Sequence, residues 1–455
     1  MAIFAFKINA MGKLSNLLKL LGVVVILLFP AGMQAQWNYV GPAGISSGWS
    51  AYNDIAVDSS GAPIVVFREN GLQSAPCLRW DGSHWEQIGA ASYTFPVGYD
   101  LHLFVGKQDR ISLLFQDEGN NYLSCIRYNG SQWDYVGSQY LSQSMANYVT
   151  AAYDTAGQFH VAFVDMNGFH FLRENGANWD ALPMNGLPSP IAYTSLQFGP
   201  DNTPYLMFTD MNTLKANCMS WNGAAWVAVG SSGFSTNFAK DDRLLISPTG
   251  AIFCAYDDGF TTVKKLNSQT QNWDLIGSAG LGGSFIGLED FLMDSNGGLY
   301  ISTSQIAGDH ARCLKFDGNA WGQLGGVGIN DTTAGYPNIA LASDGTIFAT
   351  YNDFEISKAV VKQFLGAVKV DERTLVADFE LFPNPGTSRL HFNNTYSSGR
   401  TFVRILDLSG DVRWAGNLTQ EEAVSGIGVA DLQAGIYFVE LTSANGRFCR
   451  KWIKQ

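Results

Sequence analysis

Arg79-Trp80-Asp81-Gly82-Ser83-His84-Trp85 recurs as Arg127-Tyr128-Asn129-Gly130-Ser131-Gln132-Trp133 and as Ser220-Trp221-Asn222-Gly223-Ala224-Ala225-Trp226. Asn175-Gly176 and Asp317-Gly318 hold the same place before Trp179 and Trp321, whereas the looser Asn267-Ser268-Gln269-Thr270-Gln271 precedes Trp273. An Asn-Gly or Asp-Gly pair between apolar runs predicts a hairpin, because both residues tolerate the positive φ of a type I′ turn. Further out, Trp37, Trp85, Trp133, Trp179, Trp226, Trp273 and Trp321 are separated by 48, 48, 46, 47, 47 and 48 residues. A fixed period of that length marks a repeat architecture.

Each repeat reads as four strands. In the first, Asp54-Ile55-Ala56-Val57 ends at the turn Asp58-Ser59-Ser60-Gly61, and Ile64-Val65-Val66-Phe67 follows. Cys77-Leu78-Arg79-Trp80 leads into the Asp-Gly turn, and Trp85-Glu86-Gln87-Ile88-Gly89 completes the set. Four strands every ~40–50 residues, without 3.6-residue periodicity, predict the blades of a β-propeller. The ends set the count. Trp37-Asn38-Tyr39-Val40-Gly41 has no strand before it, and the last repeat leaves at Gly366 without a Trp strand. Joining these two orphans closes the ring at seven blades and removes exposed edges. The predicted fold is therefore all-β, a seven-bladed propeller over 36–367.

The recurring Trp is expected to pack blade against blade. Cys77, Cys125, Cys218 and Cys313 each lie eight residues before their Trp. Equivalent places in different blades are too far apart for the ~4.4–6.8 Å Cα separation of a disulfide, so these four are expected to be buried thiols.

The connections from the Trp strand to the next inner strand are long, and those between second and third strands are intermediate. Both classes emerge on one face, and binding residues gather on such loops. Counting back from the turn Gly gives two rings there. Seven residues back stand Asp54, His102, Thr150, Ser195, Arg243, Asp290 and Asn338, all polar. Nine back stand Tyr52, Asp100, Tyr148, Tyr193, Asp241, Leu288 and Tyr336. One reading makes these polar side chains hydrogen-bond neighbouring blades around a wet channel. The other makes Asp54, His102, Arg243, Asp290, Asn338, Tyr52, Tyr148, Tyr193 and Tyr336 a ligand pocket, with Tyr faces for sugar stacking and acids for hydroxyls.

Enzyme signatures are sparse. Asp54, Asp100, Asp241, Asp242 and Asp290 are candidates for the paired carboxylates of a glycosidase, but no nucleophile elbow and no phosphate loop occurs. No catalytic residue is assigned. The six His and six Cys show none of the usual ligand spacings, so no metal and no cofactor is assigned. Lys+Arg 28 against Asp+Glu 40 gives −12, which argues against nucleic acid as a partner. With 46% hydrophobic and 15% charged residues the chain is globular rather than disordered.

Residues 1–35 read as a secretory signal. Lys7, Lys13 and Lys19 precede the apolar run Leu20–Phe29, which Pro30 stops. Ten residues suit a signal core, whereas a spanning helix needs about 20. The mature chain is expected from Gln36, with no transmembrane segment after signal removal; Met11 is an alternative start.

After the linker 368–375, residues 376–455 hold eight basic and eight acidic side chains, so the excess negative charge lies earlier. Alternation and turns predict a small antiparallel β-sandwich of about seven strands. The opening Leu381-Phe382-Pro383-Asn384-Pro385, the middle Ile405 to Gly410, the strand Leu432 to Tyr437 with Gly435, and the closing Lys451 and Lys454 stand in order. This stretch resembles the type A C-terminal sorting domain of type IX secretion cargo. The resemblance implies export through the inner membrane by the signal, then through the outer membrane by this domain. It makes the type IX machinery a partner, and places the protein in the medium or at the cell surface. Trp414-Ala415-Gly416 departs from the usual pattern, whose residues there are polar.

Taken together, the expected function is a secreted or surface binding module for an extracellular glycan or protein. The alternative is a polysaccharide hydrolase or lyase using acids on the long-loop face.

Overall fold

The structure is a computed structural model that describes residues 36–69, 75–89, 97–176, 178–281, 286–305, 310–325, 328–330, 333–365, 380–393, 402–407, 412–417, 425–443 and 446–455. The expected signal 1–35, the linker 368–375 and Gly410 lie outside them. The chain divides into two compact units between Ala367 and Val368.

In the first unit seven antiparallel four-stranded sheets follow one another along the chain. Blade 1 consists of Ser50–Val57, Pro63–Glu69, Cys77–Trp80 and Trp85–Gln87. The innermost strands of blades 2 to 7 are Val97–Gly106, Asn147–Tyr153, Ile191–Phe198, Lys240–Ile246, Ile286–Met293 and Ala334–Leu341. Blade 7 takes its outer strand from the other end of the unit. Gln36–Tyr39 pairs antiparallel with Lys358–Leu365, Trp37 standing opposite Phe364. The fold is a seven-bladed propeller closed by its two termini.

The second strand of each blade is largely buried because it is covered on both faces. In blade 1, Ile64, Val65, Val66 and Phe67 are all at most 1% exposed. Neighbouring blades share an apolar core at every interface around the ring. Each fully buried aliphatic or Phe side chain there contributes roughly 1.5–3 kcal/mol. Cys77, Cys125, Cys218 and Cys313 belong to these cores as free, buried thiols.

The recurring Trp ties each blade to its predecessor. Trp85 Nε1 donates to Val40 O at 2.9 Å, Trp133 Nε1 to Ile88 O at 3.0 Å and Trp321 Nε1 to Ile276 O at 3.0 Å. Trp37, Trp179 and Trp226 do the same with Leu324, Val136 and Pro183. Trp273 Nε1 is buried without such a partner. Four residues after the Trp comes a glycine at positive φ, as in Gly89 (φ 80°) and Gly325 (φ 69°), in every repeat but that of Trp179, where Pro183 stands. A Cβ on Gly89 would lie 2.7 Å from Trp133 Nε1, so at this place glycine leaves room for the indole to reach the Ile88 carbonyl.

The hairpins form where the Asp-Gly and Asn-Gly pairs predict them, but not with the expected turn. Trp80 pairs with Trp85, so residues 81–84 make a longer loop than a two-residue type I′ turn. Gly82 takes φ 102° while Asp81 stays at negative φ. Asp81 instead accepts the N–H groups of Ser83 and His84 through Oδ1, both at 2.6 Å. Asn129 and Asn222 cap their loops in the same way. The short polar side chain is there to cap N–H groups rather than to permit positive φ.

The second unit is a small β-sandwich. One sheet orders Glu380–Phe382, Arg389–Asn393 and Ile427–Gly428; the other orders Val412–Asn417, Phe402–Leu406, Gly435–Ser443 and Gly446–Lys454. Val403, Ile405, Val439 and Trp452, each 0% exposed, form its centre. Trp414 packs against this core, and its ring comes within 3.0 Å of where a Cβ on Gly416 would be. The departure Trp414-Ala415-Gly416 is therefore a matched pair, a large ring over a bare backbone.

Candidate functional site: the propeller mouth and the sorting tail

A bulge opens each innermost strand. The register shifts between Ala51 and Asp54, Tyr99 and His102, Asn147 and Thr150, Ala192 and Ser195, Lys240 and Arg243, and Gly335 and Asn338. At those bulges Tyr52, Asp100, Tyr148, Tyr193, Asp241 and Tyr336 adopt φ between 52° and 54°. In blade 6 the shift falls between Leu288 and Asp290, and Leu288 is not at positive φ. The left-handed region costs a non-glycine residue about 1–3 kcal/mol, and a bulge re-aims the side chains beside it. Repetition at six blades ties this strain to the mouth.

The ring seven residues before the turn lines one cavity of about 640 Å³ among the inner strands. Most of its members clasp the next blade's backbone. Asp54 accepts from Leu103 N at 2.7 Å, Thr150 from Leu196 N at 3.0 Å, Ser195 from Leu244 N at 2.9 Å and Asp290 from Ile339 N at 2.7 Å. Arg243 Nε donates to Glu289 O at 2.5 Å, and Asn338 Nδ2 donates to Asn53 O at 2.6 Å, which closes the circle. His102 differs: its Nε2 lies 3.2 Å from Asp100 Oδ1, within its own blade.

The electrostatics follow from burial. Burial pushes Asp54 up to about 6, against the pull of His102 and of two backbone N–H groups. Burial likewise raises Glu289 to about 7, with Arg243 opposing, and raises Asp290. For Asp100 burial works against ionisation, yet His102 and Gln116 hold the carboxyl below its usual range. The same pairing, with Asp54, raises His102 despite its burial. Asp242 lies behind the ring, 0% exposed, with its pKa far above normal through burial. Thr209 Oγ1 lies within donating distance of Asp242 Oδ2, at 3.0 Å, and of Ala239 O, at 3.1 Å.

Of the predicted tyrosines, Tyr52 and Tyr336 line the cavity, their rings 5.2 Å apart. Tyr148 and Tyr193 are not among its lining residues and pack on each other at 4.7 Å. Sequence reasoning missed Glu289 as a cavity residue and Tyr99, which packs on Tyr52 at 5.9 Å beneath Arg68. Glu289 stands one place before Asp290, and counting from the turn could have exposed that register. Among the described residues no cluster of three metal-ligating side chains occurs, and no helix is long and apolar enough to cross a membrane.

In the second unit the opening motif holds the last strand. Asn384 Nδ2 donates to Lys451 O at 3.0 Å, and its Oδ1 accepts from Ile453 N at 3.0 Å. Pro383 O accepts the indole N–H of Trp452 at 2.9 Å. Leu381 packs on the core, and Pro385 carries the chain to Gly386, whose N–H bonds Ile453 O. Gly435 starts the strand on which Tyr437 OH donates to Gln433 O at 2.9 Å. Lys451 is exposed and Lys454 buried, the latter donating to Gln455 O.

No curated protein matches the chain in sequence. Among solved structures, the extracellular domain assigned to a hybrid two-component system of B. thetaiotaomicron is 12% identical, with TM-score 0.48, over 93% of this chain and 59% of that one. The chain thus spans about three fifths of that domain's length. The fucose-specific lectin of Aleuria aurantia is 14% identical, with TM-score 0.42, over 62% of this chain and 97% of that one. A PL25 ulvan lyase is 11% identical, with TM-score 0.46, over 72% and 95%. None of the three says what this chain binds. Residues 380–455, by contrast, match the secretion system C-terminal sorting domain family. They are a type IX sorting domain, and the chain that carries them is exported to the cell surface or secreted.

Proposed function

We propose that the propeller is a binding module that takes an extracellular glycan at its mouth. The sorting tail makes the chain secreted cargo, so such a ligand is met outside the cell. The observation that supports this reading is the 640 Å³ cavity, bordered by the Tyr52–Tyr336 pair and by Asp100, His102 and Arg243. Its size falls within the usual range of ligand pockets, and aromatic faces beside a few polar groups suit a sugar ring and its hydroxyls. Six of the seven ring residues also join blades, so they form the floor and the tyrosines carry the ligand. A glycan array probed with the chain from Gln36, followed by titration of the hits, tests this. Saturable binding that falls at least about tenfold in Tyr52→Ala and Tyr336→Ala is expected; absence of any glycan ligand, or capture of a protein alone, overturns it.

A second reading rests on Glu289. A carboxyl held at about 7 by burial is suited to give a proton to a leaving oxygen, as a polysaccharide hydrolase or lyase would need. Release of new reducing ends from the array hits, abolished by Glu289→Gln, would favour the enzyme; binding without product favours the module.

A further inference from the structure

The cavity is chemically lopsided. Blades 6, 7 and 1 bring Glu289, Asp290, Asn338 and Asp54 to one sector, whereas blades 3 and 4 bring the neutral Thr150 and Ser195. Its two basic side chains, His102 and Arg243, face four carboxyls, those of Asp54, Asp100, Glu289 and Asp290. His102 pairs with Asp100, and Arg243 donates to the backbone carbonyls of Glu289 and Asp242. Among the described residues no Lys, Arg or His nitrogen lies within 4.0 Å of a carboxylate oxygen of Asp54, Glu289 or Asp290. Backbone N–H groups and the hydroxyls of Ser302 and Ser304 are what these three have instead. A desolvated carboxylate with no cation in contact is costly, and burial accordingly raises all three in pKa, although His102 and Arg243 nearby oppose the rise. The Tyr52–Tyr336 pair comes from blades 1 and 7 and so borders this sector. Its faces can stack a pyranose and attract an ammonium.

We infer that the mouth selects an amino sugar, with the pyranose against Tyr52 and Tyr336 and its free ammonium among Asp54, Glu289 and Asp290. This rests on the glycan-binding reading and adds the charge of the ligand. A lysine side chain would satisfy the acids but leave the tyrosine faces without a ring. An N-acetylated sugar would fill the faces and leave the acids unpaired.

The test titrates the full chain from Gln36 near neutral pH with four probes of similar length: a glucosamine oligomer, its N-acetylated counterpart, a uronic-acid oligomer and an oligolysine. The glucosamine oligomer is expected to bind about tenfold tighter than the acetylated one, with an advantage that shrinks as salt rises. The advantage should also shrink in Glu289→Gln and Asp290→Asn, which keep an oxygen acceptor for Ser304 and Ile339; the comparison of probes on the unaltered chain decides the matter if either variant unfolds. Equal affinity for the two glucosamine oligomers overturns the inference while leaving the mouth a glycan site. Tighter binding of the uronic-acid oligomer or of oligolysine also overturns it. Failure of all four probes overturns it, while the array with its neutral sugars separately decides the binding reading.

Discussion

Trp37 donates its indole N–H to the carbonyl of Leu324, 287 residues away in sequence and 3.1 Å away in space. With the antiparallel pairing of Trp37 and Phe364, that bond fastens the chain's first described strand into its last blade. A ring has no free edge only if this seam holds. Removing residues 36–42 should therefore lower the melting temperature of the whole first unit, and an unchanged transition would show that the seam does not matter.

Gly325 sits under the same indole at φ 69°, where a Cβ would come 2.6 Å from Trp37 Cδ1. Gly325→Ala should cost about 1–3 kcal/mol from left-handed strain and crowding together. Trp133→Ala, in a fully formed interface, should cost about 3–5 kcal/mol. Chemical denaturation of both variants measures this, and a smaller loss for Trp133→Ala than for Gly325→Ala would contradict it.

Asp290 accepts from Ile339 N and from Ser302, so it joins blade 6 to blade 7. Asp290→Asn retains an acceptor and should cost little. Asp290→Ala leaves the Ile339 N–H unpaired and should cost about 1–3 kcal/mol. Equal stability of the two variants would deny the clasp.

The cavity acids also set a pH slope. Asp54 at about 6 and Glu289 at about 7 lie above their unfolded values, so the folded state holds more protons than the unfolded one between about pH 4 and about pH 7. His102, also raised, acts in the same direction. Stability should therefore fall as pH rises through this window. Carboxyls held low, such as Asp100 and Asp58, contribute stability that is lost as pH falls below it. Melting curves across the range check the sign, and Glu289→Gln should flatten the slope on its alkaline side.

In the second unit Asn384 bridges Lys451 and Ile453 with both ends of its amide. Asn384→Asp replaces the donor with a carboxylate facing the Lys451 carbonyl and should cost about 1–3 kcal/mol. A chain truncated after Leu375 should fold its propeller and accumulate in the periplasm. Normal surface display of that chain would refute the sorting role.

The fold was legible in the sequence because its signals are local and repeated. The Trp period, the Asp-Gly and Asn-Gly pairs and the two orphan ends lead to seven closed blades, and the Leu381 to Lys454 pattern leads to the sorting sandwich. The polar ring was legible as a register for the same reason. Which of its members join blades was not, since Asp54 and His102 occupy equivalent places, yet Asp54 accepts from the next blade while His102 turns to Asp100 in its own. The left-handed Tyr52, Tyr148, Tyr193 and Tyr336 could not be read at all. Tyrosine has no local preference for that conformation, and it is held there by neighbouring strands that only the closed ring brings together. The separation of Tyr148 and Tyr193 from the cavity, and the acidic sector at Glu289, Asp290 and Asp54, were likewise decided by the packing of distant blades.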